Sequence, residues 1–348
     1  MTESATPRRW PTIKDVAKHA GVSVSTVSYV LNDSGPVAAE RRARVLDAVQ
    51  VLNYTPNESA RGLRQRSAPT IGLVVPDLSN QFFALIAEGV ERAASARGGL
   101  VVFCAPEAIG TSDSMNARLM RSRRLNGIIY LSGAATSLTS MFELRKLGPI
   151  VLVDEQIPGS ELPAAVSDNR RGAREIARHV LDHGHRRLAI IGGPSQLWTA
   201  QQRLAGYREA IAAAGLDPDE VPVLEGDYHQ QSGFELAERA LAGPPEGRPT
   251  ALLCANDLMA VGALEHCKAH GIRVPADLSV VGFDDLPFVT LLTPRLTTVR
   301  QPAADMGVRA ANMLFDVIEG KEDEQLPSLF PATVQVRDSV ATWSGDPA

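Results

Sequence analysis

Polar side chains recur at one kind of place in this 348-residue sequence: directly after a short apolar run. Pro76-Asp77-Leu78-Ser79-Asn80-Gln81-Phe82-Phe83 follows TIGLVV, and Asp154 follows IVLV. Gly192-Gly193-Pro194 follows LAII and leads to Trp198 and Arg203; Tyr228 follows a further run. Asn256 and Asp257 follow ALLCA, and Asp284 and Asp285 follow VVGF. Carboxylates accept hydroxyl protons, a guanidinium donates, a carboxamide does both, and an aromatic face covers the apolar side of a sugar ring. The set therefore suits a polyol. The same rings suit stacking on a nucleobase. Any one of these groups is equally a turn or a helix cap; their recurrence is what singles them out.

A second constellation lies in TIKDVAKHAGVSVSTVSYVLN, Thr12 to Asn32. Thr12 is a good N-cap, and Asp15 three residues on is favourable near a helix N-terminus. Val16, Ala17 and Ala20 form a helical apolar stripe, Gly21 breaks the helix, and Ser23 caps a second one. Val27, Val30 and Leu31 give that helix an inner side, so the spacing predicts a helix-turn-helix. Its other side carries Val24, Ser25, Ser28 and Tyr29. Hydroxyls there bond phosphates or base edges, and a valine meets a thymine methyl. A third helix over about Ala38 to Leu52 is expected to turn Val45, Leu46 and Val49 inward and Arg41, Arg42 and Arg44 outward. Ser59 to Arg64 suits one or two helical turns, marginal alone. Leu63, flanked by Arg61 and Arg64, suits an apolar wedge into a minor groove.

These groups need scaffolds of two kinds. Residues 1–69 hold ten Lys/Arg against six Asp/Glu, a net +4, which leaves −9 for the rest of a chain at −5. A basic head on an acidic body suggests a polyanion-binding module joined to one that does not bind polyanions. In the body, apolar runs at Thr70–Pro76, Leu100–Cys104, Gly127–Leu131, Ile150–Val153, Leu188–Ile191, Val221–Leu224, Ala251–Cys254 and Leu278–Phe283 alternate with helical segments. That pattern predicts parallel sheets covered on both faces. TIGLVVPD…ARGGLVVF resembles RLAIIGGP…AAGLDPDEVPVL, a weak duplication that implies two α/β halves with a cleft at their strand ends.

The stretches TIKDVAKHAGVSVSTVSYVLN and LNYTPNESARGLR resemble the LacI/GalR family of bacterial repressors, and the likeness runs from about Thr12 to Trp343. It implies an N-terminal three-helix DNA-binding domain over residues 10–57 and a hinge helix and linker over 58–69. An effector-binding core like the periplasmic sugar-binding proteins would follow. Its two doubly wound parallel α/β subdomains would span residues 70–167 plus 299–328 and 168–298 plus 329–343. By this resemblance Val24, Ser25 and Tyr29 read bases, and Leu63 inserts at the operator centre with Ala60 on the same hinge face. Thr12, Ser23, Thr26, Ser28 and Asn32 contact the DNA backbone or buttress the motif. Asp154, Arg203, Asn256 and Asp284 fall on effector-contact positions and Tyr228 on an aromatic one. Phe82 and Phe83 lie in a loop at the mouth, and Trp198 in a variable loop ahead of Arg203. Gln81 replaces the usual family proline, so the mouth departs from the pattern.

The resemblance thus implies a homodimer on palindromic double-stranded operator DNA, controlled by a small ligand. A sugar is favoured over a nucleoside or purine, and induction over corepression. No cofactor is expected. The N-terminus has no signal-peptide core and no run reaches the length of a membrane span, which implies a cytoplasmic protein. No C-terminal heptad segment follows ATVQVRDSVATW, so a tetramer built that way is not expected. An enzyme is the rival class, but GxGxxG, GxxxxGK[ST] and GxSxG are all missing. His179, His183 and His185, and His266 with His270, have metal-like spacing, yet HGHRRLAII matches a structural stretch of the family. A free-standing sugar-binding module is disfavoured by the basic head. Cys104, Cys254 and Cys267 lack CxxC spacing and are expected to be buried thiols.

Overall fold

The computed structural model describes residues 11–54, 68–104, 115–122, 124–131, 138–321 and 328–344. Ala60 and Leu63 lie outside the described residues. The chain divides into two compact units, Met1–Ala68 and Pro69–Ala348.

In the small unit α1 (Ile13–Ala20), α2 (Val24–Asn32) and α3 (Ala39–Val51) enclose Val16, Ala17, Ala20, Val27, Val30, Val45 and Ala48. The expected caps are present. Thr12 N and Oγ1 donate to Asp15 Oδ2 at 2.8 and 2.6 Å, and Ser23 Oγ accepts from Thr26 N at 3.1 Å. Gly21 ends α1 at φ +63°, a left-handed conformation that costs glycine nothing. One inward assignment is corrected. Leu46 is 46% exposed and Ala48 takes the inner position. At about 100° per residue the stripe through Val45 continues at 48 and 49, not 46.

The large unit holds two parallel sheets. The first is built from β1 (Thr70–Val74), β2 (Leu100–Cys104), β3 (Gly127–Leu131), β4 (Ile150–Val153), β5 (Ala164–Ser167) and β11 (Ser328–Phe330), in the order β11-β5-β4-β3-β1-β2. The second has β6 (Leu188–Gly192), β7 (Val223–Glu225), β8 (Ala251–Cys254) and β9 (Ser279–Val281), in the order β7-β6-β8-β9. In both halves the second strand lies outside the first and the third on its other side. The weak sequence duplication therefore corresponds to one winding used twice. Each sheet has a switch point, between β1 and β3 and between β6 and β8, where α/β sheets open a crevice at their strand ends.

Helices α4 (Gln81–Ala96) and α11 (Ala303–Ile318) cover one face of the first sheet; α7 (Asn169–Asp182), α8 (Trp198–Ala213), α9 (Gln230–Ala240) and α10 (Asp257–Ala269) cover the second. The antiparallel pair β10 (Thr298–Arg300) and β12 (Thr333–Gln335) packs on α7. Helices α4 and α11 touch backbone to backbone. A Cβ on Gly89 would lie 1.9 Å from Ala304 O, and one on Gly307 2.1 Å from Ile86 O. Gly89→Ala is therefore expected to lower stability by about 3 kcal/mol, the upper end for an overpacked core. Urea denaturation checks this, and an unchanged midpoint would contradict it.

Candidate functional site

The small unit presents α2 outward. Val24 is 41% and Tyr29 48% exposed, and Ser25 lies on the same exposed side. Ser23 Oγ bonds Ser25 Oγ and Thr26 Oγ1 at 2.8 Å each, and Asn32 Nδ2 donates to Ser28 Oγ at 3.2 Å. The hydroxyls are thus held in a chain along the helix start rather than left to rotate. Arg42 pairs with Asp33, the left-handed cap of α2. Val24, Ser25 and Tyr29 thus stand at the surface of a helix whose other side packs on the small core.

In the large unit the strand-end groups converge on one cavity of about 310 Å³. Phe82, Phe83, Asp154, Arg203, Tyr228, Asn256 and Asp284 line it. Asp154 follows β4 and Asp284 follows β9, Arg203 stands near the start of α8, and Asn256 caps α10. Trp198 is not among the lining residues. It is half-buried and packs against the core cluster that holds Ile128 and Tyr130 of β3 and Ile150 and Leu152 of β4. The physical reason is helical phase: Leu197 and Thr199 take the cavity side of the turn entering α8.

Arg203 is 4% exposed and anchors the site. Its Nε donates to Asn169 Oδ1 at 2.8 Å and its Nη1 to the Ala255 carbonyl at 2.5 Å. The guanidinium lies 4.0 Å from the Phe283 ring centre and 3.5 Å from Asp284 Oδ1. Burial pushes Asp284 up to about 7 against the pull of Arg203, while Gln301 Nε2 donates to it at 2.7 Å. Burial likewise raises Asp154 to about 6, again opposed by Arg203. Its Oδ1 is buried with no hydrogen-bond partner. Asn256 is more committed: Oδ1 accepts from Met259 N and Nδ2 donates to Tyr228 O, both at 2.9 Å. Asp154, Tyr228 and Asp284 all have positive φ (71°, 70° and 116°), strain of the kind that gathers at binding sites.

Residues beyond those anticipated also line the wall, among them Glu155, Thr199, Asp227 and His229, together with Asp77 of the strand-end groups. Thr199 N donates to Glu155 Oε2 at 3.3 Å, and its Oγ1 bonds the other oxygen. Glu155 stands next to Asp154 and Thr199 next to Trp198, so the signal was adjacency to residues already singled out. Three of the histidines with metal-like spacing, His183, His185 and His270, bond the fold around them, while His179 Nε2 and His266 Nδ1 are buried without a hydrogen-bond partner. His183 Nδ1 bonds His179 O, and His185 joins Thr250 Oγ1 to Ala341 O. Among the described residues no group of three metal-capable side chains forms, and no helix is long and apolar enough to cross a membrane. The three cysteines are buried.

A profile described as "Bacterial regulatory proteins, lacI family" matches residues 12–57, and one described as "Periplasmic binding protein-like domain" matches 177–340. The HTH-type transcriptional repressor PurR of Vibrio campbellii is 33% identical over 330 residues, 94% of this chain and 98% of the relative. The probable HTH-type transcriptional repressor ExuR of Bacillus subtilis is 35% identical over 334 residues, with the same coverage. The chain belongs to the LacI family of bacterial regulatory proteins. Among solved structures, the lac repressor dimer bound to operator and the anti-inducer ONPF superposes with a TM-score of 0.80 at 28% identity, covering 96% of this chain and 100% of that one. A CelR–cellobiose complex gives 0.70 at 33% identity, covering 94% and 99%. This LacI-family chain is a DNA-binding transcriptional repressor with a ligand-binding core, and not an enzyme.

Proposed function

We propose that operator affinity of this LacI-family repressor is set by a sugar or sugar derivative held by Asp154, Arg203, Tyr228, Asn256 and Asp284. The observation that carries this reading is Asp154 Oδ1, a buried acceptor without a donor on the wall of a cavity. A buried acceptor left unmade costs about 1–3 kcal/mol, which a ligand hydroxyl removes. Two solved relatives hold sugars, cellobiose in one and, at 25% identity and TM-score 0.72, ribose in another from Enterococcus faecium. A purine is the second reading, favoured by the relatives named PurR and by the rings near the cavity. Against it, Phe82 and Phe83 meet edge to face at 62°, so these two rings do not sandwich a base between them.

The working form in this reading is a homodimer on an inverted repeat. Edge strand β2 exposes Leu100, Val102 and Phe103 at 59%, 40% and 57%. Such an edge invites pairing unless covered, and the lac repressor relative is a dimer on its operator. Val24, Ser25 and Tyr29 read base edges; Thr12, Ser23, Thr26, Ser28 and Asn32 serve the phosphates and the motif. Leu63 and Ala60 are proposed for the centre of the site.

Mobility shift on an inverted-repeat operator tests this. Affinity is expected to fall steeply with salt, because phosphate contacts release counterions. The bound sugar is expected to weaken it about 5- to 150-fold, the usual range of coupling. A flat salt curve would remove the phosphate contacts, and tightening by ligand would make it a corepressor.

A further inference from the structure

The walls of the cavity carry an unequal charge. Asp77, Asp154, Glu155, Asp227 and Asp284 face it, against Arg203 and His229. Both basic side chains already have carboxylate neighbours. Arg203 lies 3.5 Å from Asp284 and spends Nε and Nη1 on Asn169 and the Ala255 carbonyl. His229 stands 3.6 Å from Asp77 and 3.4 Å from Asp227. Asp154 Oδ1, 93% buried by residue, meanwhile lacks a donor. Acidic side chains thus outnumber basic ones on the wall, and a ligand that brings hydrogen-bond donors suits it better than one that brings a further negative charge.

Glu155 sharpens that demand. It is 3% exposed and follows β4 of the first sheet, while its partner Thr199 begins α8, which covers the second. The bond from Thr199 to Glu155 therefore joins the two walls beside Asp154. A ligand carboxylate or phosphate would be buried against this cluster with Arg203, already shared with Asp284, as its counter-charge, and a poorly compensated buried charge is costly.

We propose that Glu155 is a specificity-determining residue that, with Asp154 and Asp284, restricts the cleft to uncharged hydroxyl-bearing ligands and turns away carboxylated or phosphorylated sugars. This rests on the reading that the cleft holds a sugar. Burial and the neighbouring charge of Asp154 push Glu155 up to about 8, with Thr199 and Arg203 opposing and Tyr228 also facing it. The cluster gains negative charge as pH rises through that value, so rejection of anions strengthens.

The test uses the full chain and matched probes: glucose with glucuronate, galactose with galacturonate, and cellobiose with cellobionate. Calorimetric titration is run at about pH 6.5 and pH 9, where the probe acids are already ionised. A neutral member is expected to bind at least about tenfold tighter than its acid, a difference of about 1.4 kcal/mol. The gap widens at the higher pH, and Glu155→Gln narrows that widening. An acid that binds as tightly as its neutral partner, or a pH response identical in Glu155→Gln, would overturn charge selection while leaving the sugar reading in place. If the variant does not fold, the wild-type pH arm decides, and a constant gap overturns the proposal. Binding of guanine or hypoxanthine with no response to any sugar would overturn the sugar reading itself, and this inference with it.

Discussion

Arg203→Ala is expected to cost about 3–5 kcal/mol of stability at pH 7.5, because removing one partner of a buried ion pair strands the other. Asp284 loses a neighbour at 3.5 Å, Asn169 Oδ1 and the Ala255 carbonyl lose donors, and Phe283 loses its cation. The loss should depend on pH. An acid whose pKa is raised on folding keeps its proton in the native state where the unfolded chain has released it. Its contribution therefore favours folding at low pH and is lost as pH rises. Asp154 and Asp284 already behave this way, at about 6 and about 7. Without the guanidinium both rise further, so the variant's deficit should shrink at pH 5.5 and grow at pH 8. Urea denaturation at these three values measures it. A deficit that is small, or the same at each pH, would show that Arg203 does not balance the buried carboxylates.

Asp154→Asn should separate binding from stability. The carboxylate is 7% exposed, with Oδ1 unpartnered and its proton affinity raised by burial, so the ionised form is a liability to the empty protein. A neutral side chain of the same shape removes that cost. Thermal stability without ligand is expected to stay level or rise. Sugar binding should weaken by about 1.5–3 kcal/mol, roughly 10- to 150-fold, the value of a hydrogen bond to a charged acceptor. Operator binding should survive while its response to ligand fades. Calorimetry and mobility shift together check the pair of outcomes. Undiminished sugar affinity would remove Asp154 from the ligand's contacts.

Legibility followed the range of the interactions concerned. The helix-turn-helix could be read because caps and apolar stripes act within a few residues: Thr12, Gly21 and Ser23 declare their roles to their neighbours. Long β-branched runs such as Ile150–Val153 announced themselves as strands. Ala164–Ser167, fully buried but alanine-rich, did not, because its place in the sheet comes from pairing with β4 and β11 rather than from local preference. The shortening of the last strand of the second sheet to Ser279–Val281 has a similar cause. Phe283 leaves the ladder to lie under Arg203, a contact between segments eighty residues apart.

The residues themselves determined that polar groups would stand at the ends of parallel strands and that a basic helical head would precede an acidic α/β body. Periodicity and side-chain chemistry are local properties. Only the tertiary structure decided that Glu155 and Thr199 belong to the cavity wall while Trp198 turns into the core. It also left Asp154 without a donor. Neighbours along a chain share a turn, but a fraction of a helical turn and the meeting of two sheets determine which side chain faces the empty space.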